Sequence, residues 1–135
     1  MAVRVILDSN FLFVPLQFQI DIFEEIRELL GGKVEFIVLS TTIEELRKLV
    51  KKGGEKLSRQ AAFALKMADK CRIFEVERLS GESNDDVIVR VAKKFKCAVA
   101  TNDRTLKRML RNMGVAVIYV RGKSRLEMEG TVNNV

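Results

Sequence analysis

The sequence is poor in the residues that most often carry enzyme chemistry. Among its 135 residues there is no histidine, no tryptophan and only two cysteines. Without histidine, a Ser-His-Asp triad and any His-ligated metal site are excluded. Cys71 and Cys97 each adjoin a predicted strand and lack a C-x-x-C partner, so buried thiols explain them better than zinc or a disulfide. Any catalysis must use carboxylates, hydroxyls, lysines or a metal ion bound by oxygen.

Long apolar segments and targeting signals are also missing. No apolar run approaches the roughly 20 residues that a bilayer-spanning helix needs. Arg4 and Asp8 interrupt the apolar N-terminus, which excludes the pattern of a secretory signal. We therefore expect a cytoplasmic protein that does not contact a membrane. The length suits one domain, which we place at residues 1–122, followed by a flexible tail at 123–135 where no pattern is strong.

Positive charge is concentrated in the last part of the chain. The net charge is +6, but residues 1–85 carry 13 Lys or Arg against 14 Asp or Glu, whereas residues 86–135 carry 11 against 4. Such an asymmetry indicates a surface that binds a polyanion. A solvated charged surface in a heat-adapted protein would have a similar composition.

Five short apolar runs alternate with segments of helical periodicity. The runs predict strands at 3–7, 35–39, 72–76, 97–101 and 115–120. The periodicity predicts helices at 20–30, after a loop that contains Pro15, and at 43–50, 55–70, 85–95 and 104–113. This alternation is typical of parallel βαβ units with right-handed crossovers. We therefore predict an α/β fold, a three-layer α/β/α sandwich around a five-stranded parallel sheet.

Four acidic residues fall at one end of this sheet. They are Asp8 after the first strand, Glu45 in the first turn of the helix after the second strand, Asp85 at the start of the helix before the fourth strand, and Asp103 just past the fourth strand. Ligands of open α/β sheets bind beyond the carboxyl ends of the strands. Clustered carboxylates repel one another unless a cation neutralises them, and hard oxygen ligands select Mg²⁺ or Mn²⁺. Hydrolysis of phosphate esters is the reaction that most often uses such a site.

Each of these acids also has a local structural explanation. The alternatives are a turn in which Asp8 bonds only nearby backbone, a capping box of Thr42 with Glu45, Asp85 and Asp86 as charges at the positive end of a helix, and Asn102 or Asp103 as an N-cap. Capping does not explain why an acid recurs at the same end of successive βα units.

Four short motifs together resemble the acidic motifs of PIN-domain nucleases. They are DSN at 8–10, TTIEEL at 41–46, SNDDVIVRVA at 83–92 and TND at 101–103. Segments 8–26 and 96–123 are similar to the branch that processes small-subunit ribosomal RNA in archaea and eukaryotes. The resemblance implies a PIN-like (Rossmann-like) sandwich with strand order 3-2-1-4-5. It also implies an endoribonuclease that cuts single-stranded RNA with Mg²⁺ or Mn²⁺ and leaves 5′-phosphate and 3′-hydroxyl ends.

The resemblance assigns roles to the acidic residues. Asp8, Asp85 and Asp103 would hold the principal metal, and Glu45 would help to hold a second metal or the attacking water. Ala92, seven residues after Asp85, matches a small residue of the family and favours Asp85 over Asp86, which stays an alternative ligand. The polar neighbours that would orient these carboxylates are Ser9, Asn10 and Thr101.

The predicted helix after Asp103 has two opposed stripes. Arg104, Lys107, Arg108 and Arg111 lie at i, i+3, i+4 and i+7, and Leu106, Met109, Leu110 and Met113 repeat this spacing two residues later. Two residues are about 200° of rotation on a helix, so the apolar stripe packs inward and the basic stripe faces out. Our hypothesis is that the basic stripe guides RNA phosphates toward the acids, together with Arg121, Lys123 and Arg125. A solvated basic face is the alternative.

Other functions remain open at this point. A toxin nuclease would use the same metal chemistry and would need an antitoxin partner. A phosphotransferase built on Asp8 would normally have a second acid where Asn10 stands. A catalytically idle RNA-binding assembly factor would not need all four acids. The resemblance also implies a homodimer, for which the sequence names no interface.

Overall fold

A central β-sheet organises the chain, for which the computed structural model describes residues 2–132. The strands are β1 (Val3–Leu7), β2 (Val34–Leu39), β3 (Arg72–Phe74), β4 (Ala98–Ala100), β5 (Val117–Arg121) and β6 (Arg125–Glu129). The helices are α1 (Val14–Phe18), α2 (Ile22–Leu30), α3 (Ser40–Lys52), α4 (Gly54–Ala68), α5 (Asn84–Phe95) and α6 (Arg104–Asn112), with a 3-10 helix at Ser9–Phe13.

The strand order is β3-β2-β1-β4-β5-β6. The first five strands are parallel, with Val5 of β1 opposite Phe36 of β2 and Ala98 of β4. This confirms the predicted order 3-2-1-4-5 and places β1 in the middle. All five parallel strands therefore end at one edge, with Asp8 at its centre.

Helices cover both faces of the sheet, as a three-layer α/β/α sandwich requires. Val5 and Leu7 of β1 point to a core shared with α2, α3 and α4, whereas Ile6 points to a second core shared with α5 and α6. A central strand buried on both faces has no polar alternation, which is why Val5, Ile6 and Leu7 of β1 form an unbroken apolar run after Arg4. Each fully buried aliphatic side chain contributes about 1.5–3 kcal/mol.

The sixth strand corrects the prediction of a flexible tail at 123–135. Residues Arg125–Glu129 pair antiparallel with β5, from Arg121 opposite Arg125 to Val117 opposite Glu129. Leu126 is buried against the core while its neighbours are polar, which is a short period-2 pattern that a search for long apolar runs misses. Positive φ angles of 60° at Gly122 and 66° at Lys123 make the tight hairpin turn. The end of the predicted tail, residues 133–135, lies outside the described residues.

Three smaller differences concern helix starts and one strand. Pro15 lies inside the first turn of α1 rather than in a loop, because the first helical positions need no backbone N–H. Helix α3 begins at Ser40, so Thr42 lies within the helix and Glu45 falls in its second turn. β5 begins at Val117, two residues later than predicted.

Neither cysteine forms a disulfide, and both thiols are shielded from water. Burial raises the pKa of the Cys71 thiol to about 12 and that of Cys97 to about 11, so both stay protonated at neutral pH. Cys97 is buried, as predicted, whereas Cys71 is half-buried. Across residues 2–132, none of the helices combines the length and apolarity that crossing a membrane demands.

Candidate active site

Asp8 is the best-anchored acid at the carboxyl edge of the sheet. It is only 7% exposed, and its Oδ1 accepts a hydrogen bond of 2.8 Å from the Ser9 backbone N–H. Its Oδ2 accepts hydrogen bonds from Thr101 Oγ1 at 2.7 Å and from Asn10 Nδ2 at 3.1 Å. The local turn therefore exists, but the bond from Thr101 comes from the segment that follows β4. The three polar residues predicted to orient the carboxylates all lie within the site.

Asn10 and Thr101 also hold the backbone that leads to Asp103. Asn10 Oδ1 accepts a hydrogen bond of 3.1 Å from the backbone N–H of Asn102, and Thr101 Oγ1 accepts one of 3.1 Å from that of Asp103. The first contact joins the residues after β1 to those after β4, and the second stays within the segment after β4; Thr101 Oγ1 makes the other crossing bond by donating to Asp8 Oδ2. The positions of Asp8 and Asp103 are thus fixed relative to each other through one amide and one hydroxyl.

Glu45 lies on α3 between two other elements. Ser9 Oγ donates to its Oε2 at 3.3 Å, and Asn84 Nδ2 donates to its Oε1 at 3.4 Å. The predicted capping box with Thr42 is wrong, because the N-cap of α3 is Leu39 and makes no side-chain cap bond. Glu45 is therefore free of the helix terminus and reaches toward Asp8.

The start of α5 places the two adjacent acids, Asp85 and Asp86, in different surroundings. Ser83 is the N-cap, and it forms a capping box in which Asp86 Oδ2 accepts from Ser83 N at 3.0 Å and Ser83 Oγ accepts from Asp86 N at 3.1 Å. Asp86 is thus engaged by its own helix. The charge of Asp85 acts on Asp8 and Glu45, which makes Asp85 the better candidate ligand.

Asp103 caps α6. Its Oδ1 accepts a hydrogen bond of 3.0 Å from the backbone N–H of Leu106. A carboxylate has two oxygens with about four lone-pair sites, so one cap bond leaves capacity for a further ligand. The capping explanation is correct for Asp103 and is compatible with a second role.

The pKa values of the acids are shifted by burial and by the charges of the neighbouring acids. Burial raises the pKa of Asp8 to about 6; hydrogen bonds from Thr101 and Ser9 oppose this, and the charges of Glu45 and Asp85 add to it. Burial also raises the pKa of Glu45, with Asp85 adding to the shift. The pKa of Asp85 is raised by burial and by the charges of Asp103 and Asp86. The four candidate acids therefore form one electrostatic group.

The donor set of this group fits a hard divalent cation. It offers carboxylate oxygens, and the cost of holding several ionised carboxylates together would be offset by a bound cation. In residues 2–132, no three His, Cys, Asp or Glu side chains are already arranged to enclose an ion. The chemistry of these side chains, though not yet their arrangement, thus fits Mg²⁺ or Mn²⁺.

The predicted basic residues divide into two sets. Four of the seven are engaged: Lys107 pairs with Glu129 at 2.8 Å, Arg111 donates to the Val115 carbonyl at 3.1 Å, and Arg121 and Arg125 contact Glu127 at 3.8 and 3.0 Å. Arg104, Arg108 and Lys123 are exposed. The apolar stripe is confirmed at Leu106 and Leu110, which are buried, and wrong at Met113, which is 45% exposed.

A basic groove of about 480 Å³ lies next to the acids. Its lining includes Phe18, Thr101, Arg104, Lys107, Tyr119 and Lys123. Because Thr101 also bonds Asp8, the groove shares a wall with the acidic group. A larger cavity of about 670 Å³, lined in part by Arg4, Glu35 and Lys93, contains none of the four acids.

Two residues of the site were missed from the sequence. Asn84 holds Glu45, and the Arg78 side chain donates to Asn84 Oδ1. The position of Asn84 directly before Asp85 is the one signal that could have suggested it. Arg78 lies in a loop with no periodicity, and its contact depends on tertiary structure.

Comparison with known proteins gives a consistent family. Residues 5–123 match the family model described as PIN like domain. Ribonuclease VapC4 of Methanocaldococcus jannaschii is 33% identical over 134 residues, which are 96% of this chain and 98% of that protein. The rRNA-processing protein fcf1 of Schizosaccharomyces pombe is 35% identical over 123 residues, which cover 87% of this chain but only 58% of that protein.

Solved structures agree with this assignment. The PIN domain endonuclease Utp24 superposes with a TM-score of 0.76 at 31% identity, covering 98% of this chain and 95% of that one. VapBC2 from Rickettsia felis, bound to a promoter DNA fragment, superposes with a TM-score of 0.63 at 16% identity. The match covers 87% of this chain and 98% of that one. At this low identity it supports the fold alone. The chain is thus a member of the PIN-domain family of ribonucleases.

Proposed function

We propose that this protein is a metal-dependent endoribonuclease that cuts single-stranded RNA during ribosomal RNA processing in the cytoplasm. The observation that carries the proposal is the group of four acids around Asp8, in which burial and mutual repulsion raise the pKa values of Asp8, Glu45 and Asp85. A group of this kind is a good binding site for a hard cation. The similarity to the rRNA-processing protein fcf1 supports RNA as the substrate, and the similarity to the endonuclease Utp24 supports internal cleavage.

Each acid has a distinct part in this proposal. Asp8, Asp85 and Asp103 would hold the principal Mg²⁺ or Mn²⁺, and Glu45 would help to hold a second ion or the attacking water. A bound ion would supply a hydroxide at neutral pH and stabilise charge on the leaving oxygen. The products would carry 5′-phosphate and 3′-hydroxyl ends.

The surrounding polar residues keep the carboxylates in place. Thr101 and Asn10 bond one oxygen of Asp8, so its carboxylate cannot rotate freely. Ser9 and Asn84 hold the two oxygens of Glu45 in the same way. Such neighbours orient ligands, and their loss commonly costs 10- to 100-fold in metal affinity or activity, by the order of magnitude known for other metal sites.

The RNA backbone would lie in the basic groove. Arg104 and Lys123 line the groove and are exposed, whereas Lys107 lines it while paired with Glu129. Contacts to phosphates give affinity that depends on salt and little on sequence. The groove leads to Thr101 and hence to Asp8.

A precursor ribosomal RNA cleavage map would test the proposal. Purified protein is incubated with the organism's own precursor ribosomal RNA, with and without Mn²⁺, beside the Asp103→Asn variant. We expect a discrete metal-dependent cut that the variant does not make. Binding without any cleavage by the parent would instead support an idle assembly factor.

A toxin ribonuclease is the second candidate, favoured by one specific observation. Ribonuclease VapC4 is 33% identical to this chain over 134 residues, a level of identity similar to that of fcf1. A toxin would be neutralised by a partner protein. Copurification of a small acidic protein that abolishes cleavage would favour this function over ribosomal RNA processing.

A further inference from the structure

The loop between β3 and α5, residues 75–83, is held firmly although it has no regular secondary structure. Arg90 of α5 donates to Glu82 through Nε at 2.9 Å and Nη2 at 3.0 Å, and Nη2 also donates to the Glu77 carbonyl at 2.7 Å. Leu79 N donates to Glu82 Oε1 at 2.8 Å. A guanidinium that bonds both oxygens of a carboxylate fixes direction as well as distance. The loop is therefore a rigid support.

A second anchor fixes the start of the loop to α3. Ser40 Oγ accepts from the backbone N–H of Val76 at 2.9 Å and donates to the Val76 carbonyl at 3.2 Å. Ser40 is the first residue of the helix that carries Glu45. The loop and Glu45 are thus positioned by the same helix.

Arg78 is the cation that this loop presents to the acids. Its guanidinium donates to Asn84 Oδ1, and Asn84 Nδ2 donates to Glu45 Oε1 at 3.4 Å. Its charge acts on Glu45 and partly opposes the effect of burial there. Arg78 is exposed, and within residues 2–132 no carboxylate pairs with it. A guanidinium has five N–H donors, so most remain free for a ligand.

The strand order places Arg78 and the basic groove on opposite sides of Asp8. Glu45 follows β2 and Arg78 follows β3, on one side of β1. Thr101 follows β4 and the lining residue Arg121 ends β5, on the other side. An RNA strand that lay in the groove and crossed the acids would reach Arg78 next. The acids would repel a phosphate at that place, and Arg78 is a cation whose charge already acts on Glu45 and could offset this repulsion.

We propose that Arg78 binds a backbone phosphate of single-stranded RNA on the β2–β3 side of the acids, so that the strand is held on both sides of Asp8. The inference rests on the proposed function. Guanidinium matches phosphate through two parallel hydrogen bonds, which an ammonium group cannot reproduce. Arg78 would contact the RNA directly, and the Arg90–Glu82 pair fixes the loop that carries Arg78.

The test compares Arg78→Ala and Arg78→Lys with Arg59→Ala, which removes the same charge from α4, where Arg59 pairs with Glu55. All three are made in the Asp103→Asn background to keep the RNA intact, and binding of a fluorescent single-stranded RNA is measured over a range of salt. We expect Arg78→Ala to weaken binding about tenfold and to reduce the salt slope by about 0.7. Arg78→Lys should lie between, and Arg59→Ala should match the background protein.

Equal binding and salt slopes for Arg78→Ala and Arg59→Ala would overturn the inference. A second measurement tests the alternative that Arg78 acts only by supporting Asn84 and Glu45. It compares the Mn²⁺-induced rise in melting temperature of the single Arg78→Ala variant with that of the parent. If that shift is lost while the salt slope is unchanged, Arg78 only supports Asn84 and Glu45. The proposed function is judged separately by cleavage with the parent: no metal-dependent cut would refute the nuclease, while the binding data would still decide on Arg78.

Discussion

Thr101 Oγ1 donates a 2.7 Å hydrogen bond to Asp8 Oδ2 and so joins the end of β4 to the end of β1. Thr101→Val keeps the shape and removes this bond. Because a buried charge would lose its donor, we expect the free energy of unfolding to fall by about 1–3 kcal/mol. The pKa of Asp8 should rise further, and cleavage should require higher pH. Urea unfolding and a pH–rate profile measure both effects.

Thr41→Val is the matched control for that variant. Thr41 is 4% exposed, and its hydroxyl has no hydrogen-bond partner among the described residues. Removing an unpaired buried hydroxyl should be neutral or stabilising. If the free energy of unfolding fell equally in the two variants, the hydrogen bond between Thr101 and Asp8 would not contribute to stability.

Asp103→Asn should abolish cleavage while the metal-free protein stays as stable as the parent, or becomes slightly more stable. Asparagine keeps the cap to Leu106 N and relieves repulsion among the acids. Metal binding to the folded state adds about 2.7 kcal/mol at a hundredfold excess over the dissociation constant. Melting curves with and without Mn²⁺ should therefore show a large shift for the parent and a small one for the variant.

Asp21→Asn is the control for an ordinary helix cap. Asp21 caps α2 by accepting from Glu24 N at 3.2 Å, as Asp103 caps α6. The control should retain both cleavage and the full Mn²⁺ shift. An active Asp103→Asn variant with the same shift as this control would return Asp103 to the role of a cap.

The stability of the metal-free protein should fall as pH rises through the range in which Asp8 titrates. Folding raises the pKa of Asp8 from 3.8 to about 6, so the folded state binds more protons than the unfolded state between these values. Below pH 3.8, Asp8 is protonated in both states and its ionisation costs no stability. Above about pH 6, it is ionised in both states, and the free energy of unfolding is lower by about 3 kcal/mol. Asp8→Asn should become more stable relative to the parent between pH 4 and pH 7, as followed by chemical unfolding.

Metal should reverse this pH dependence. Mn²⁺ binds the ionised carboxylates, so its binding releases protons and strengthens as pH rises. The Mn²⁺-induced rise in melting temperature should therefore be larger at pH 7 than at pH 5. An equal rise at both values would show that the metal does not compete with protons at these acids.

Arg104 and Arg111 should behave differently although both belong to the predicted basic stripe. Arg104→Ala should lower the salt slope of RNA binding by about 0.7 without loss of stability. Arg111→Ala should cost about 1 kcal/mol of stability, because its guanidinium bonds the Val115 carbonyl. Arg108→Ala is the control for stability, because Arg108 is exposed and its replacement should not change the free energy of unfolding. A stable Arg111→Ala variant with a flattened slope would contradict this assignment.

Gly130→Ala should displace Arg111 and destabilise the protein. At φ 92°, a Cβ at residue 130 would lie 2.2 Å from Arg111 Nη1 and 3.1 Å from the Ala116 Cα. Gly81→Ala has a φ of 81°, close to that of Gly130, but open space around the new Cβ. The difference in melting temperature between these two variants reports chiefly the clash with Arg111 and Ala116, and a difference near zero would contradict the close packing.

The sequence predicts those site residues that directly follow the carboxyl end of a strand. Asp8 and Asp103 follow the carboxyl ends of strands, and the parallel order forces these ends to one edge. Asn84 and Arg78 could not be predicted in this way, because their contacts depend on the path of the loop at 75–83, which Arg90 fixes from within α5.

The basic stripe shows a second limit of periodicity. Helical spacing correctly separates Leu106 and Leu110 from the charged face of α6. It cannot show that a later strand reaches that face, where Glu129 neutralises Lys107. Because β6 is not recognised from the sequence, residues 123–135 are predicted to be a flexible tail, although Arg125–Glu129 pair with β5.

The antiparallel strand β6 also decides how the protein can be shortened safely. Without it, β5 would become the outer strand, and its unpaired backbone groups beside Val117 and Ile118 would be open to a neighbouring molecule. At the opposite border, β3 has only three residues and includes Arg72, which discourages such pairing. A fragment ending at residue 123 should therefore aggregate, whereas one ending at residue 132 should stay dispersed.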